Sequence, residues 1–312
     1  MTKIAGTFPV LPTIFTASSE VDEAGFRRVA EWAIASGVDG IVFPGLASEY
    51  DHLTLEERLR LVALVGDIAR GRVAFVAGCG GHTDEESAEV IRAAAAAGAV
   101  AAMVVTPARK GNDPAELARF YNYLSEAAPV PIMLQNAPKP MGLGLTPAEV
   151  LDVVARAPGI RYVKEENIPC GQRITALREA GAESLEAIFG GAGGRYITDE
   201  LARGADGTMP AVEIADLHVA LIAASRRDDW ATVRRLFERT LPLLNMQAVY
   251  RWRLTKEVLL RRGLIDSAYV RAPGPVLDRH DLKELDELMT GLADLIGHGS
   301  PEGAKQLSAV TA

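Results

Sequence analysis

Short apolar runs recur along the chain at a steady interval: FPVLPTIF (8–15), DGIVFP (39–44), VAFVAG (73–78), AVAAMVV (99–105), VPIML (130–134), IRYV (160–163), LEAIF (185–189) and DGTMPA (206–211). None shows the polar alternation of a half-solvated strand, so the pattern predicts strands buried on both faces of a parallel sheet. Helical start signals fill the gaps. TLEE (54–57), TDEE (83–86) and TPAE (146–149) put Thr at the N-cap and Glu three residues on, and DPAE (113–116) does the same with Asp. Two of the four carry Pro at the first helical position, where a missing N–H is harmless. Gly closes ARG (69–71), AAG (96–98), EAG (179–181) and ARG (202–204), the stop expected just past a helix.

Eight such strand–helix units predict a closed (β/α)8 barrel over residues 1–225, in preference to an open doubly wound sheet. After residue 212 the pattern is wholly helical, giving the last barrel helix and about three more. Residues 226–298 are therefore expected as a helical extension packed on the barrel. The tail 299–312, GSPEGAKQLSAVTA, has little to bury and is expected to be flexible.

Composition narrows the class. The chain has 312 residues and 48% hydrophobic content, enough for one large core. Its net charge is -8 and no basic block exceeds a pair, which argues against nucleic acid or an anionic membrane surface as partner. The first residues lack a secretory signal's apolar core, and the longest apolar tract, 93–105, falls short of a membrane span. Cys79 and Cys170 are too few for a disulfide framework and are not spaced as a metal pair. A cytoplasmic globular protein is the expectation.

In a barrel the C-terminal strand ends line the active site. That rule selects Phe15 and Thr16, Gly45 to Tyr50, Gly78 to His82, Thr106 to Lys110, Gln135 to Pro138, Lys164 to Asn167, Gly190 to Gly194, and Met209 with Pro210. Lys164, in YVKEEN (162–167), would lose solvation at a barrel mouth, leaving its amine free to attack a carbonyl. Position alone also allows a surface lysine paired with Glu165. Strand alternation puts Glu166 on the same side as Lys164 and Glu165 on the other. In PGLASEYDHLTLEER (44–58), backbone N–H groups near Ala47 and Ser48 are placed to receive a carboxylate, while Glu49 reads as structural. GCGGHT (78–83) holds Cys79 and His82, but two ligands without HExxH or CxxC do not make a zinc site. FGGAGGRY (189–196) resembles a phosphate cradle, yet does not fit GxGxxG.

Taken in order, PTIFT (12–16), GLASEYDHLTLEER (45–58), GCGGHT, VTP (105–107), PIMLQNAP (131–138), YVKEEN and GADGTMPA (204–211) resemble the pyruvate-dependent class I aldolase superfamily of dihydrodipicolinate synthase and N-acetylneuraminate lyase. The resemblance covers residues 6 to about 295. It implies a Schiff base between the sixth-strand lysine, here Lys164, and the 2-oxo carbon of the substrate, with no metal or other cofactor. It also implies a homo-oligomer, tetramer or dimer.

Departures from the synthase pattern are specific. Its fifth-strand proton-relay tyrosine falls on Gln135, and its second tyrosine falls in TPARKG (106–111), where this chain has Arg109. Its paired threonines fall on Leu46 and Ala47, leaving Ser48 as the hydroxyl, and its arginine for the second substrate falls at Pro140. The sugar-acid branch is closer, in particular the L-2-keto-3-deoxyarabonate dehydratases. They resemble this chain in the Ser-Glu turn, the fifth-strand Gln, the Glu two residues past the lysine, and segments like LPLLN (241–245) and LTKEVLLRRG (254–263). The resemblance therefore implies a Schiff-base dehydratase of a 2-keto-3-deoxy sugar acid. Lys164, Glu166 and Gln135 would be catalytic, and Ala47, Ser48, Arg109, Gly190 and Met209 would bind substrate. A pyruvate-releasing retro-aldolase is the first alternative, dihydrodipicolinate synthase a lesser one, and a non-catalytic keto-acid sensor a remote one. The identity of the 2-keto acid, its stereochemistry and the replacement for the tyrosine relay stay open.

Overall fold

The computed structural model describes residues 4–181 and 185–296. Its centre is a parallel sheet of eight strands: β1 (Gly6–Thr7), β2 (Gly40–Val42), β3 (Ala74–Gly78), β4 (Ala101–Val105), β5 (Ile132–Asn136), β6 (Ile160–Glu165), β7 (Ala187–Gly190) and β8 (Gly207–Thr208). Each strand from β2 to β8 pairs with the next, and β8 pairs with β1. Val10 bridges both Val42 and Ala211, which closes the ring into a barrel. The (β/α)8 fold expected from the repeat is the fold observed.

The first run was expected as a strand over 8–15, whereas the ladder occupies only Gly6–Thr7 with Val10 as an isolated bridge. Pro9 and Pro12 explain the shift, since neither has an N–H to give a ladder. At the sixth strand the deviation runs the other way. Pairing continues through Lys164 and Glu165, so the lysine sits inside the last turn of the sheet rather than beyond it.

Eight helices surround the barrel: α1 (Glu23–Ala35), α2 (Leu55–Ala69), α3 (Asp84–Ala96), α4 (Pro114–Ser125), α5 (Pro147–Arg156), α6 (Cys170–Glu179), α7 (Ile197–Ala202) and α8 (Ala215–Arg226). The start signals work by hydrogen bonds to orphan N–H groups. Thr54 and Thr146 form reciprocal capping boxes with Glu57 and Glu149. Thr83 caps Glu86 N, but the Glu86 carboxylate turns to Arg58 and His82 N instead of returning the bond. Gly71, Gly98, Gly181 and Gly204 all take positive φ at the helix stops, a conformation that costs other residues strain.

Two apolar layers result. Phe8, Val42, Val76, Met103, Met133, Tyr162 and Phe189 fill the barrel interior. Ile41, Phe75, Val104, Leu134, Val163 and Ile188, on the alternate positions, pack outward against the helices. Three further helices follow: α9 (Trp230–Tyr250), α10 (Trp252–Arg261) and α11 (Arg279–Gly291). Leu243, Leu254, Val258, Leu285 and Leu292 from this region pack with Ile214 and Leu217 of the barrel. The tail expected at 299–312, and residues 297–298 of the expected extension, lie outside the described residues. No described helix is long and apolar enough to cross a membrane.

Candidate active site

Alternation along β6 decides which of its polar residues meet. Tyr162 belongs to the barrel interior, so Lys164 faces inward above it, while Val163 and Glu165 face the helices. Glu166 follows just past the strand and returns to the inner side. Its Oε1 lies 3.1 Å from Lys164 Nζ. Gln135 pairs with Lys164 across the β5–β6 ladder and donates Nε2 to Glu166 Oε2 at 2.6 Å. The Ala192 N–H adds a third donor to this carboxylate at 3.3 Å. Lys164 is only 3% exposed.

Burial alone would raise the Glu166 pKa, but the Lys164 charge and the Gln135, Lys164 and Ala192 donors outweigh it and hold the carboxyl below its ordinary value. Glu166 is thus an anion at neutral pH, suited to accept a proton. An amine within 3.1 Å of that base, buried at the barrel mouth, can attack a carbonyl and pass its excess proton on.

Glu165 faces a different network and is fully buried. It accepts from Asn136 Nδ2 at 2.8 Å and from Asn167 N at 2.9 Å, and it lies 3.1 Å from Arg173 Nε. This fixes the end of β6 against β5 and α6, the structural role expected of an outward-facing carboxylate. Glu49 is structural too: it accepts from Lys256 Nζ at 2.6 Å and from Ala272 N at 2.8 Å.

A cavity of about 250 Å3 opens over Lys164 and Glu166. Ala47 and Met209 line it. Three other candidate positions lie outside this cavity. The Ser48 hydroxyl is fully buried, donates to Leu11 O at 2.5 Å and accepts from Gly45 N at 2.9 Å, so it staples the turn and does not reach the cavity. Arg109 and Lys110 both pair with Asp84, at 2.7 and 2.6 Å, at the start of α3; Arg109 borders a neighbouring cavity beside Tyr50 and Phe120. Gly190 stays in the sheet, where its carbonyl accepts from Met209 N at 3.0 Å; Ala192 and Gly193 line the cavity in its place.

Gly190 has another use. A Cβ there would sit 1.9 Å from Glu200 Oε2, so the glycine makes room for the carboxyl of α7. Glu200 is 1% exposed, with the weakly donating Cys170 thiol beside it. Burial first, and the Glu166 charge second, push its pKa up to about 8. Burial also raises the Cys170 thiol beside it, leaving that cysteine protonated and inert.

Several cavity residues lie outside the positions that the strand-end rule selects: Arg195, Gln247, Arg251, Trp252 and Thr255. Arg195 follows the glycine-rich loop directly, and its Nη1 donates to Gln247 Oε1 at 2.8 Å. The others lie in α9, in α10 and at the junction between them, outside the eight barrel units. Cys79 is buried, and His82 anchors its N–H to Glu86. Among the described residues no group of three His, Cys, Asp or Glu is arranged around a metal position.

Comparison with known proteins matches residues 3–292 to the Dihydrodipicolinate synthetase family. Among curated relatives, 4-hydroxy-tetrahydrodipicolinate synthase of Acidobacterium capsulatum is 31% identical over 77% of this chain and 80% of its own. The enzyme of the same name from Methanothermobacter thermautotrophicus is 32% identical over 69% of this chain and 76% of its own. Among solved structures, dihydrodipicolinate synthase from Rhodopseudomonas palustris superposes with TM-score 0.86 at 26% identity, covering 93% of this chain and 98% of that one. YagE of E. coli, solved in complex with pyruvate, gives TM-score 0.85 at 26% identity, covering 94% and 99%. Enzymes of this family act through a covalent Schiff base to a lysine and need no external cofactor. The chain belongs to the dihydrodipicolinate synthetase family and is a lyase of that family's Schiff-base type.

Proposed function

We propose that the chain dehydrates a 2-keto-3-deoxy sugar acid through an imine on Lys164. The observation that carries this reading is the Lys164–Glu166–Gln135 constellation, in which the base beside the lysine is a carboxylate held by an amide. Lys164 attacks the 2-oxo carbon, water leaves, and the imine acidifies C3. Glu166 removes a C3 proton, the electron pair moves through the imine to give an enamine, and hydroxide then leaves from C4. Water hydrolyses the remaining imine and frees Lys164. A carboxylate suits the C3 step because deprotonating carbon needs a positioned base.

The substrate carboxylate is assigned to the Leu46–Ser48 turn, where Ala47 lines the cavity, with the Ser48 hydroxyl shaping the turn rather than touching the ligand. Met209 forms part of the apolar wall. The curated relatives carry the synthase name, which favours a shared first step, imine formation with a 2-oxo acid. Against the complete synthase reaction stand Gln135, Ala47 and Pro140, which lack the groups that the family pattern supplies there. The pyruvate bound to YagE supports a 2-oxo acid as the ligand class here as well. We also expect a homo-oligomer.

Borohydride added with pyruvate or substrate should leave the ligand's mass on Lys164; an unmodified lysine would sink the imine. Turnover of a panel of 2-keto-3-deoxy acids, read by product mass, then separates loss of water from retro-aldol release of pyruvate, which lactate dehydrogenase reports directly.

A further inference from the structure

The wall of the cavity that Lys164 lines also carries two arginines, Arg195 and Arg251. Among the described residues neither takes part in an ion pair. Arg195 spends one N–H on the neutral Gln247 amide. The Arg251 guanidinium lies 4.3 Å from the Trp252 ring centroid, and its Nη2 reaches only the weakly accepting sulfur of Met141, at 3.6 Å. Arg251 holds this place from a strained backbone, φ 47 and ψ -118, at the junction of α9 and α10. Burial and the neighbouring Arg195 charge depress its pKa, while Glu166 acts the other way, so the three groups sense one another across the cavity.

Charge counting sharpens this. The charged residues lining the cavity are Lys164, Arg195 and Arg251 against Glu166, three cations and one anion, which leaves two positive charges. A substrate with one carboxylate neutralises half of that excess. A second carboxylate neutralises the rest, whereas a phosphoryl group of about -1.5 to -2 charge would overshoot. The guanidinium fork also matches carboxylate geometry. Resting on the imine reading above, we propose that Arg195 and Arg251 clamp a second carboxylate at the far end of the substrate, so that the preferred 2-oxo acid is a dicarboxylate.

The test compares 2-oxoglutarate with 2-oxopentanoate, acids of equal chain length that differ in a terminal carboxylate against a methyl. Borohydride trapping at Lys164 is titrated with each in the wild type, R195Q and R251Q, with thermal melts confirming that the variants fold. The wild type should half-saturate with 2-oxoglutarate at a concentration at least tenfold lower, and the ratio should fall below about threefold in either variant. Equal concentrations for the two acids in the wild type, or a preference surviving in both variants, would overturn the clamp. If neither acid nor pyruvate is trapped, the imine reading has failed and the clamp is decided separately. Glutarate, which has no keto group, should then change Trp252 fluorescence saturably while pentanoate does not, and indistinguishable titrations would reject it.

Discussion

Glu166 is an anion because Lys164, Gln135 and the Ala192 N–H together outweigh its burial. Removing its charge while keeping its shape separates binding from proton transfer. Glu166→Gln should still give the borohydride adduct at Lys164, with kcat lowered by about 10^2–10^4, whereas Lys164→Met should give neither adduct nor turnover. An adduct-competent Glu166→Gln enzyme of normal kcat would move the base elsewhere. Glu200 offers a test of a different kind. Its folded pKa is about 8, against about 4.5 unfolded, so between those values the folded chain holds a proton that the unfolded chain has lost. The stability tied to that proton is complete below pH 4.5 and is lost as pH rises toward 8. Glu200→Gln removes the dependence. Its melting temperature should exceed the wild type's at pH 8.5, with the gap closing toward pH 5; a pH-independent gap would mean that Glu200 does not carry the proton.

Elements place these residues, and here the sequence was legible to different depths. Lys164, Glu166 and Glu165 could be sorted into inner and outer faces because strand alternation is local and strict. The capping boxes at Thr54 and Thr146 were equally readable, and Thr146→Ala should cost about 1 kcal/mol, measured by denaturant midpoint. At Ser48 a hydroxyl in a turn reads the same in sequence whether it faces ligand or backbone; only the Leu11 carbonyl arriving from another segment decides it. The Arg109 ion pair is hidden for a similar reason, since Asp84 lies one βα unit away. That Arg195 and Arg251 share one cavity depends on how α9 and α10 dock on the barrel mouth, which periodicity does not encode. Glu49 shows how firmly that docking is pinned. Its ion pair with Lys256 of α10 is completely buried at 2.6 Å, with the ammonium 4.3 Å from the Phe15 ring centroid. Lys256→Met alone leaves an uncompensated buried carboxylate and should cost roughly 3–5 kcal/mol, and the double change with Glu49→Leu should cost less than that single. Additive losses in the double-mutant cycle would show that the pair is not coupled.

At the scale of the whole molecule, the question is whether the helices after α8 form a unit of their own. Composition along the chain contains no linker between them and the barrel. Leu259, Leu264 and Ile265 belong to the main core between barrel and helices, and Ile214 and Leu217 of the barrel complete the core of the extension. Polar ties run the same way. Arg262 pairs with Asp216 of α8, Arg271 with Glu57 of α2, and Trp252 Nε1 donates to Leu46 O in the turn beside the cavity. A unit that shares its apolar core and its buried charges with its neighbour cannot unfold without exposing both, so the two should melt together. Calorimetry should show one transition, with the calorimetric enthalpy equal to the van't Hoff enthalpy, in the wild type and in the Lys256→Met variant, where it is shifted to lower temperature. The same contacts carry the site. α9 and α10 supply Gln247, Arg251, Trp252 and Thr255 to the cavity, so any partial opening of the extension must remove these walls from Lys164. Inactivation monitored by adduct formation at Lys164 should therefore follow the calorimetric transition; adduct formation lost well below it would mean that the extension detaches first and that the barrel stands alone.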